Sequence, residues 1–367
     1  MTEPTEPAPG ADPVTPPGPD LPAAAPSLEM DTPAPAAPAP VQPTPVLDDD
    51  GFPRLGLFSL DGRAVPALYV VGWIGSVMGG STILVSFFAA GSAAARWLFL
   101  AGLGVLALGL FAAAGSQAVE RGRRPSLPFR GASPVLSFVV VVVLSLLALV
   151  VVLAPMSALG LDPSSPVATA ISLAITAVIF LAVVQAFAVG PGAMTWRDMG
   201  FGVPAREALG QLGVGIALAP LLVVVALGFT ALLSSLLAPP PSTLPPSGDA
   251  PGLLANLLSA AVLAPLGEEV FFRGFATTAW ARAIGARPAI LRGAVFFAFA
   301  HVITVFSVTF TSGLQVAAVE FLGLLPAGVA LGWVFLARRS VWASIGLHGA
   351  YNAIQVLLVF AVLRAGS

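Results

Sequence analysis

Apolar stretches close to the length of about 20 residues that a bilayer requires follow one another from about residue 65 onward. Glycine, proline, arginine or aspartate separates them. This pattern predicts an all-α, polytopic membrane helical bundle with about nine transmembrane helices. The predicted spans are residues 66–90, 97–118, 135–154, 167–189, 209–237, 253–279, 289–308, 315–336 and 341–363.

The placement of arginine gives the predicted bundle an orientation. Cytoplasmic loops collect basic residues, whereas translocated loops do not. With the N-terminus inside, only Arg96 and Arg364 fall in outer segments, and Arg273 lies within a span. Nine spans with a cytoplasmic N-terminus therefore satisfy the rule. A chain rich in alanine and arginine and without lysine is typical of a high-GC bacterium, so we expect a multi-pass protein of the bacterial inner membrane.

The N-terminal segment differs from the rest of the chain. Residues 1–60 are dense in proline, alanine and acidic residues, have no arginine before Arg54, and contain no apolar run long enough to span a membrane. Segments of this composition bury too little apolar surface to fold. We expect a disordered cytoplasmic tail.

Composition excludes several classes of function. The chain is 57% hydrophobic and 9% charged, which places it in lipid, and its net charge is -2. Without a basic excess, nucleic acid is not expected as a partner. Without cysteine, no disulfide framework, thiolate ligand or cysteine nucleophile exists. The expected partners are the lipid bilayer and a peptide or protein substrate in the membrane.

Ionisable residues inside the spans indicate a site, since each charge costs roughly 2.5–3.5 kcal/mol at the bilayer centre. The sixth span carries Glu268, Glu269 and Arg273. Glu269 and Arg273 are four residues apart and can pair on one helical face. Glu268 faces elsewhere and has no local partner. A buried ion pair that only braces the bundle is the alternative interpretation for Glu269 with Arg273.

Two histidines, the only ones in the chain, extend this site to two more spans. His301 follows Phe297 by four residues on the seventh span, and His348 precedes Asn352 by four on the ninth. Counted along the helices, both histidines reach depths compatible with Glu268, so we expect one cavity in the cytoplasmic half. A histidine that merely bonds two helices together is the alternative.

These groups allow two kinds of hydrolytic chemistry. A carboxylate and an imidazole can hold and deprotonate a water while a second histidine and an asparagine stabilise an oxyanion. Alternatively Glu268, His301 and His348 can bind zinc or another divalent metal that carries the water. The sequence allows both the metal site and the metal-free glutamate mechanism.

Three motifs carry a family resemblance: Glu-Glu-x-x-x-Arg from Glu268, Phe-x-x-x-His from Phe297 and His-x-x-x-Asn from His348. Together, in this order and on three predicted spans, they resemble the CAAX prenyl protease and bacteriocin-processing family of intramembrane metalloproteases, which is also called CPBP or Abi-like. The resemblance implies a protease-like helical core at residues 131–363, with accessory transmembrane helices at residues 65–130.

The resemblance also implies roles for the residues. Glu268 with His301 would activate water, and His348 with Asn352 would stabilise the oxyanion. Glu269, Arg273 and Phe297 would support the site. The implied function is an intramembrane endopeptidase that acts on membrane-associated substrates, prenylated or bacteriocin-like. A non-catalytic scaffold or bacteriocin immunity protein remains the alternative, and an ion-coupled transporter is a further one.

Overall fold

The computed structural model describes residues 47–51, 56–160, 162–237, 247–303 and 310–365. Its described part is built of long helices, which confirms the all-α prediction. The described residues form nine long helices: α1 (Pro66–Phe88), α2 (Ala93–Gly122), α3 (Pro134–Ala158), α4 (Pro166–Val189), α5 (Ala205–Leu236), α6 (Ala250–Ile284), α7 (Ala286–Val302), α8 (Phe310–Arg338) and α9 (Val341–Ala365). A short π-helical turn at Arg197–Phe201 lies between α4 and α5.

Eight of these helices are long and apolar enough to cross a membrane by length and composition. The remaining helix, α7, has 17 residues, which is the lower limit for a span. Residues 304–309, which follow it, lie outside the described part. Proline opens α1, α3 and α4, where its missing N–H costs nothing. Gly285, with φ 85°, separates α6 from α7. Because eight of its helices can span a bilayer, the chain is a multi-pass membrane protein.

Helices α1 and α2 form a tight hairpin. A Cβ atom at Gly79 would lie 2.3 Å from the backbone nitrogen of Leu106, and one at Gly109 would lie 2.3 Å from that of Ser76. Such contacts need glycine, as in other close membrane helix pairs. The opposite face of α1 is exposed and apolar, with Ile74 53% and Met78 57% exposed. This face is suited to lipid.

Helix α6 lies at the centre of the bundle. Its buried phenylalanines Phe271, Phe272 and Phe275 pack against aromatic rings of neighbouring helices, for example Phe138 on α3 and Phe180 on α4. The helix is not regular, because π-helical turns cover Leu258–Leu263 and Glu269–Thr277. The four-residue spacing of Glu269 and Arg273 assumes a regular α-helix, whereas π-turns of this kind occur frequently at functional sites.

The end of the N-terminal tail contacts the loop between α2 and α3. Asp48 forms an ion pair of 2.8 Å with Arg124, and Asp50 accepts a hydrogen bond of 3.1 Å from the backbone N–H of Ser126. These contacts place the acidic residues 48–50 and this loop on the same side of the bundle. The predicted disorder of the tail falls mainly on residues 1–46, which lie outside the described part.

Candidate intramembrane active site

The two adjacent glutamates of α6 have different environments. Glu269 begins the second π-helical segment and its side chain is fully buried, whereas the side chain of Glu268 is 18% exposed. Because they are neighbours on a helix, their carboxylates point in different directions. The structure thus separates one enclosed carboxylate from one that solvent can reach.

Glu269 is the centre of a buried network of charges. Its Oε1 atom accepts a hydrogen bond of 2.9 Å from Arg273 Nη1 and lies 2.8 Å from His348 Nδ1. The guanidinium of Arg273, 2% exposed, lies 4.2 Å above the ring of Phe297. Ser344, one turn before His348 on α9, is also fully buried and lies beside Glu269. The expected pair of Glu269 and Arg273 is present. Glu269 also contacts His348, which the spacing alone did not indicate.

Phe297 orients both imidazoles. Its carbonyl oxygen lies 2.8 Å from His301 Nδ1, and its ring centroid lies 4.5 Å from that of His301 and 5.8 Å from that of His348. A carbonyl oxygen can only accept, so Nδ1 of His301 carries the proton in this contact. The same argument, with the Glu269 carboxylate as the acceptor, gives His348 a proton at Nδ1.

Glu268 completes the group. Its Oε2 atom lies 4.0 Å from Nε2 of His301 and 4.0 Å from Nε2 of His348. This oxygen is buried and makes no hydrogen bond within the described structure. When two polar atoms lie beyond 3.5 Å, a bridging water is the usual link. The arrangement therefore gives one small volume in which a water can contact a carboxylate and two imidazoles.

Asn352 takes a position that the sequence did not indicate. Its Nδ2 donates a hydrogen bond of 2.9 Å to the backbone oxygen of Ala260, inside the first π-helical turn of α6. A π-turn alters the backbone pairing and leaves carbonyl oxygens for side-chain donors. One N–H of Asn352 is thus used to join α9 to α6. An amide nitrogen has a second N–H, so the predicted role at an oxyanion stays a prediction.

Glu320 on α8 is a further ionisable residue within an apolar helix. In the structure it is partly buried and interacts electrostatically with His301 and with Tyr351. The signal that could have found it is the cost of a carboxylate within an apolar helix.

The residues predicted as possible metal ligands can be tested by distance. Tetrahedral ligands about 2.0–2.1 Å from zinc lie about 3.4 Å apart. The separations of 4.0 Å from Glu268 Oε2 to the two Nε2 atoms are wider. Within the part of the chain that the structure describes, no group of three or more His, Cys, Asp or Glu side chains lies close enough to hold a metal. The present arrangement does not fit tetrahedral zinc without a shift of about half an ångström.

Comparison with known proteins finds a family similarity over the helices that carry this site. No curated protein and no solved structure matches the chain. Residues 250–354 match the family model of the type II CAAX prenyl endopeptidase Rce1-like domain. This range begins with α6 and ends on α9, so it contains both glutamates, both histidines and Asn352. Residues 250–354 are therefore similar to the endopeptidase domain of the CAAX protease family.

Proposed function

We propose that this protein is an intramembrane endopeptidase of the bacterial inner membrane, with its N-terminus in the cytoplasm. It hydrolyses peptide bonds of membrane-associated substrates, such as prenylated or bacteriocin-like chains. The observation that carries the proposal is the buried Oε2 atom of Glu268. It has no hydrogen-bond partner in the described structure and lies 4.0 Å from Nε2 of His301 and of His348. A buried carboxylate oxygen without a partner is costly, and a bound water would satisfy it.

Glu268 acts as the general base in this proposal. A water between Glu268 and His301 loses a proton to the carboxylate as its oxygen attacks the peptide carbonyl carbon. A C–O bond forms and the carbonyl oxygen becomes an oxyanion. The proton then passes from Glu268 to the amide nitrogen as the C–N bond breaks, which releases the new carboxylate and the new amine.

His348 and Asn352 stabilise the oxyanion. Because Nδ1–H of His348 is engaged by Glu269, the imidazole donates to an oxyanion from Nε2 only when it is protonated at both nitrogens. In that doubly protonated form the imidazole donates from Nδ1 to the Glu269 carboxylate and from Nε2 to the oxyanion. Arg273 in turn compensates Glu269. The second N–H of Asn352 supplies the other hydrogen bond.

The proposed mechanism uses no metal. The separations of 4.0 Å favour a water held directly by Glu268 over a metal-bound water, the other mechanism that the sequence allows. Elemental analysis of the purified, active protein decides this point. Stoichiometric zinc or another divalent metal, with loss of cleavage on chelation, would contradict the metal-free mechanism while leaving the endopeptidase proposal intact.

The decisive experiment is Glu268→Gln, which keeps the shape of the side chain but removes the base. Membrane and released peptides are compared by quantitative mass spectrometry between cells with wild-type protein and with the variant. We expect intact substrates to accumulate in the variant and cleavage to fall by at least about 100-fold. The matched control is Glu207→Gln, the same change at an exposed carboxylate at the start of α5. Full cleavage by folded, inserted Glu268→Gln would refute the proposal.

A scaffold or immunity protein without catalysis is the second candidate. It predicts that Glu268→Gln keeps the cellular phenotype as long as the bundle assembles, so the same variant separates the two functions. Transport coupled to protons is distinguished by uptake into proteoliposomes under a proton gradient. The pairing of two imidazoles with one partly exposed carboxylate favours the endopeptidase.

A further inference from the structure

A partly open cavity lies in the part of the chain outside the family domain. It has a volume of about 490 Å³ and is lined by the segment before α1, the first turns of α1, the end of α2 and the start of α3. None of its lining residues belongs to the helices that carry the glutamates and histidines of the site. Its volume falls in the range of about 300–1,000 Å³ that small-molecule sites have.

The cavity is polar at one end and apolar at the other. Arg63, Glu120 and Gln117 line it near the membrane boundary, at the start of α1 and the end of α2. Trp73, about two turns into α1 and so toward the interior of the bilayer, and Leu136, in the first turn of α3, line its apolar part. An occupant must therefore be amphipathic, with its polar part at the level of the lipid headgroups.

Arg63 is held in place for binding an anion. Its Nε donates to the backbone oxygen of Ser59 at 2.6 Å and its Nη2 to that of Gly56 at 2.9 Å. Its guanidinium carbon lies 3.3 Å above the ring of Tyr69. These contacts use two of the five N–H groups of the side chain. The guanidinium is thus fixed in position with donors left for a phosphate.

Glu120 supplies the opposite charge in the same cavity. One carboxylate oxygen accepts a hydrogen bond of 2.7 Å from the backbone N–H of Ala64, next to Arg63. Even so, no ion pair joins Arg63 to Glu120 or to another carboxylate of the described residues. A cation and an anion held apart at one end of an apolar cavity are complementary to a zwitterion.

We propose that this cavity binds a phospholipid with an ethanolamine headgroup. The phosphate contacts Arg63, the ammonium donates to Glu120, and an acyl chain lies along Trp73 and Leu136. A primary ammonium can donate hydrogen bonds to a carboxylate, whereas a choline headgroup cannot. A glycerol headgroup has no charge to pair with Glu120.

The test uses the full-length protein in nanodiscs of equimolar phosphatidylethanolamine, phosphatidylglycerol and phosphatidylcholine with matched acyl chains. After extraction, native mass spectrometry measures which lipid stays bound. We expect wild-type protein to retain phosphatidylethanolamine, and Arg63→Ala and Glu120→Gln each to lower its retention at least about tenfold. The matched controls are Arg206→Ala and Glu207→Gln, the same changes at exposed positions of α5, which should bind as wild type.

A cavity-filling variant keeps the test independent of the charges. Ser76 also lines the cavity, and Ser76→Leu occupies its volume while both charged residues remain. We expect it to lose phosphatidylethanolamine as well, while it cleaves substrate like wild type. Equal retention of the three lipids by wild-type protein would overturn the proposal. So would undiminished phosphatidylethanolamine in Arg63→Ala, Glu120→Gln or Ser76→Leu, since the lipid would then be annular.

Discussion

The Nδ1 atom of His348 on α9 lies 2.8 Å from the Oε1 atom of Glu269 on α6. The same oxygen accepts a hydrogen bond from Arg273. One carboxylate oxygen therefore joins two helices, fixes an imidazole tautomer and compensates a buried guanidinium. Because Glu269 is enclosed and Glu268 is partly exposed, we regard Glu269 as a positioning residue and Glu268 as the catalytic one.

Variants of the buried ion pair between Glu269 and Arg273 should affect stability and activity differently. Arg273→Met leaves the Glu269 carboxylate buried without its cation, so we expect the free energy of unfolding to fall by about 3–5 kcal/mol. The double variant Glu269→Leu with Arg273→Met removes both charges and should recover part of that loss. We expect it to remain inactive, because His348 has lost its partner. Thermal unfolding in detergent and cleavage in proteoliposomes measure the two effects.

Comparison of the double variant with Arg273→Met tests both roles of Glu269. If the double variant is as unstable as Arg273→Met, the pair does not compensate buried charge. If it retains wild-type cleavage, Glu269 does not position His348.

Substitution of Phe297 should lower activity although no side-chain hydrogen bond is lost. Its ring packs on both imidazoles and under the guanidinium of Arg273. Phe297→Leu keeps the helix and the backbone carbonyl that accepts from His301, but it loosens the rings. We expect kcat to fall about tenfold with KM nearly unchanged, since misplaced catalytic groups affect the transition state. Phe299→Leu is the control, because Phe299 lies on the same helix and is 53% exposed.

Steady-state cleavage of one substrate by both variants measures this effect. A Phe297→Leu protein with unchanged kcat would mean that the imidazoles are oriented by their hydrogen bonds alone.

The Asp198–Arg282 ion pair predicts a dependence of stability on pH. Partial burial opposes ionisation of Asp198, but hydrogen bonds from Thr195 and the ion pair with Arg282 lower its pKa below the ordinary value of 3.8. A carboxyl group with a lowered pKa stabilises the folded protein at pH values above its ordinary pKa. This stabilisation is lost as the pH falls through the folded-state pKa. We therefore expect Asp198→Asn to lower Tm by about 1–4 °C at pH 7, because exposed pairs contribute little.

The difference in Tm between wild type and Asp198→Asn should shrink as the pH falls below 3.8. Differential scanning fluorimetry across a pH series measures it. A difference that is constant down to the lowest pH would show that the variant acts by packing and not through the charge.

The lengths of the apolar stretches predicted the helices well, because a membrane span needs a long apolar run and has few alternatives. The intramembrane cost of charge likewise selected Glu268, Glu269 and Arg273, and the structure brings them together with His301 and His348. The π-helical turns of α6 were not predicted, since the backbone shift depends on contacts with neighbouring helices. The bond of Asn352 to Ala260 follows from that shift, so it could not be predicted either.

The contact between α5 and α9 predicts opposite effects for two glycines of one helix. A Cβ atom at Gly215 would lie 2.1 Å from the backbone oxygen of Ala343, whereas one at Gly213 would have open space around it. Gly215→Ala therefore has to push α9 away, which costs about 1–3 kcal/mol or more. Gly213→Ala only gains helix propensity, so we expect it to be neutral or up to about 1 kcal/mol more stable.

Because α9 carries His348, the displacement in Gly215→Ala should also move the imidazole relative to Glu269 on α6. We expect cleavage to fall by at least about tenfold in Gly215→Ala and to be unchanged in Gly213→Ala. Tm and cleavage are measured on both proteins in the same membrane. Wild-type stability in Gly215→Ala would mean that α5 and α9 do not pack at this distance in the bilayer.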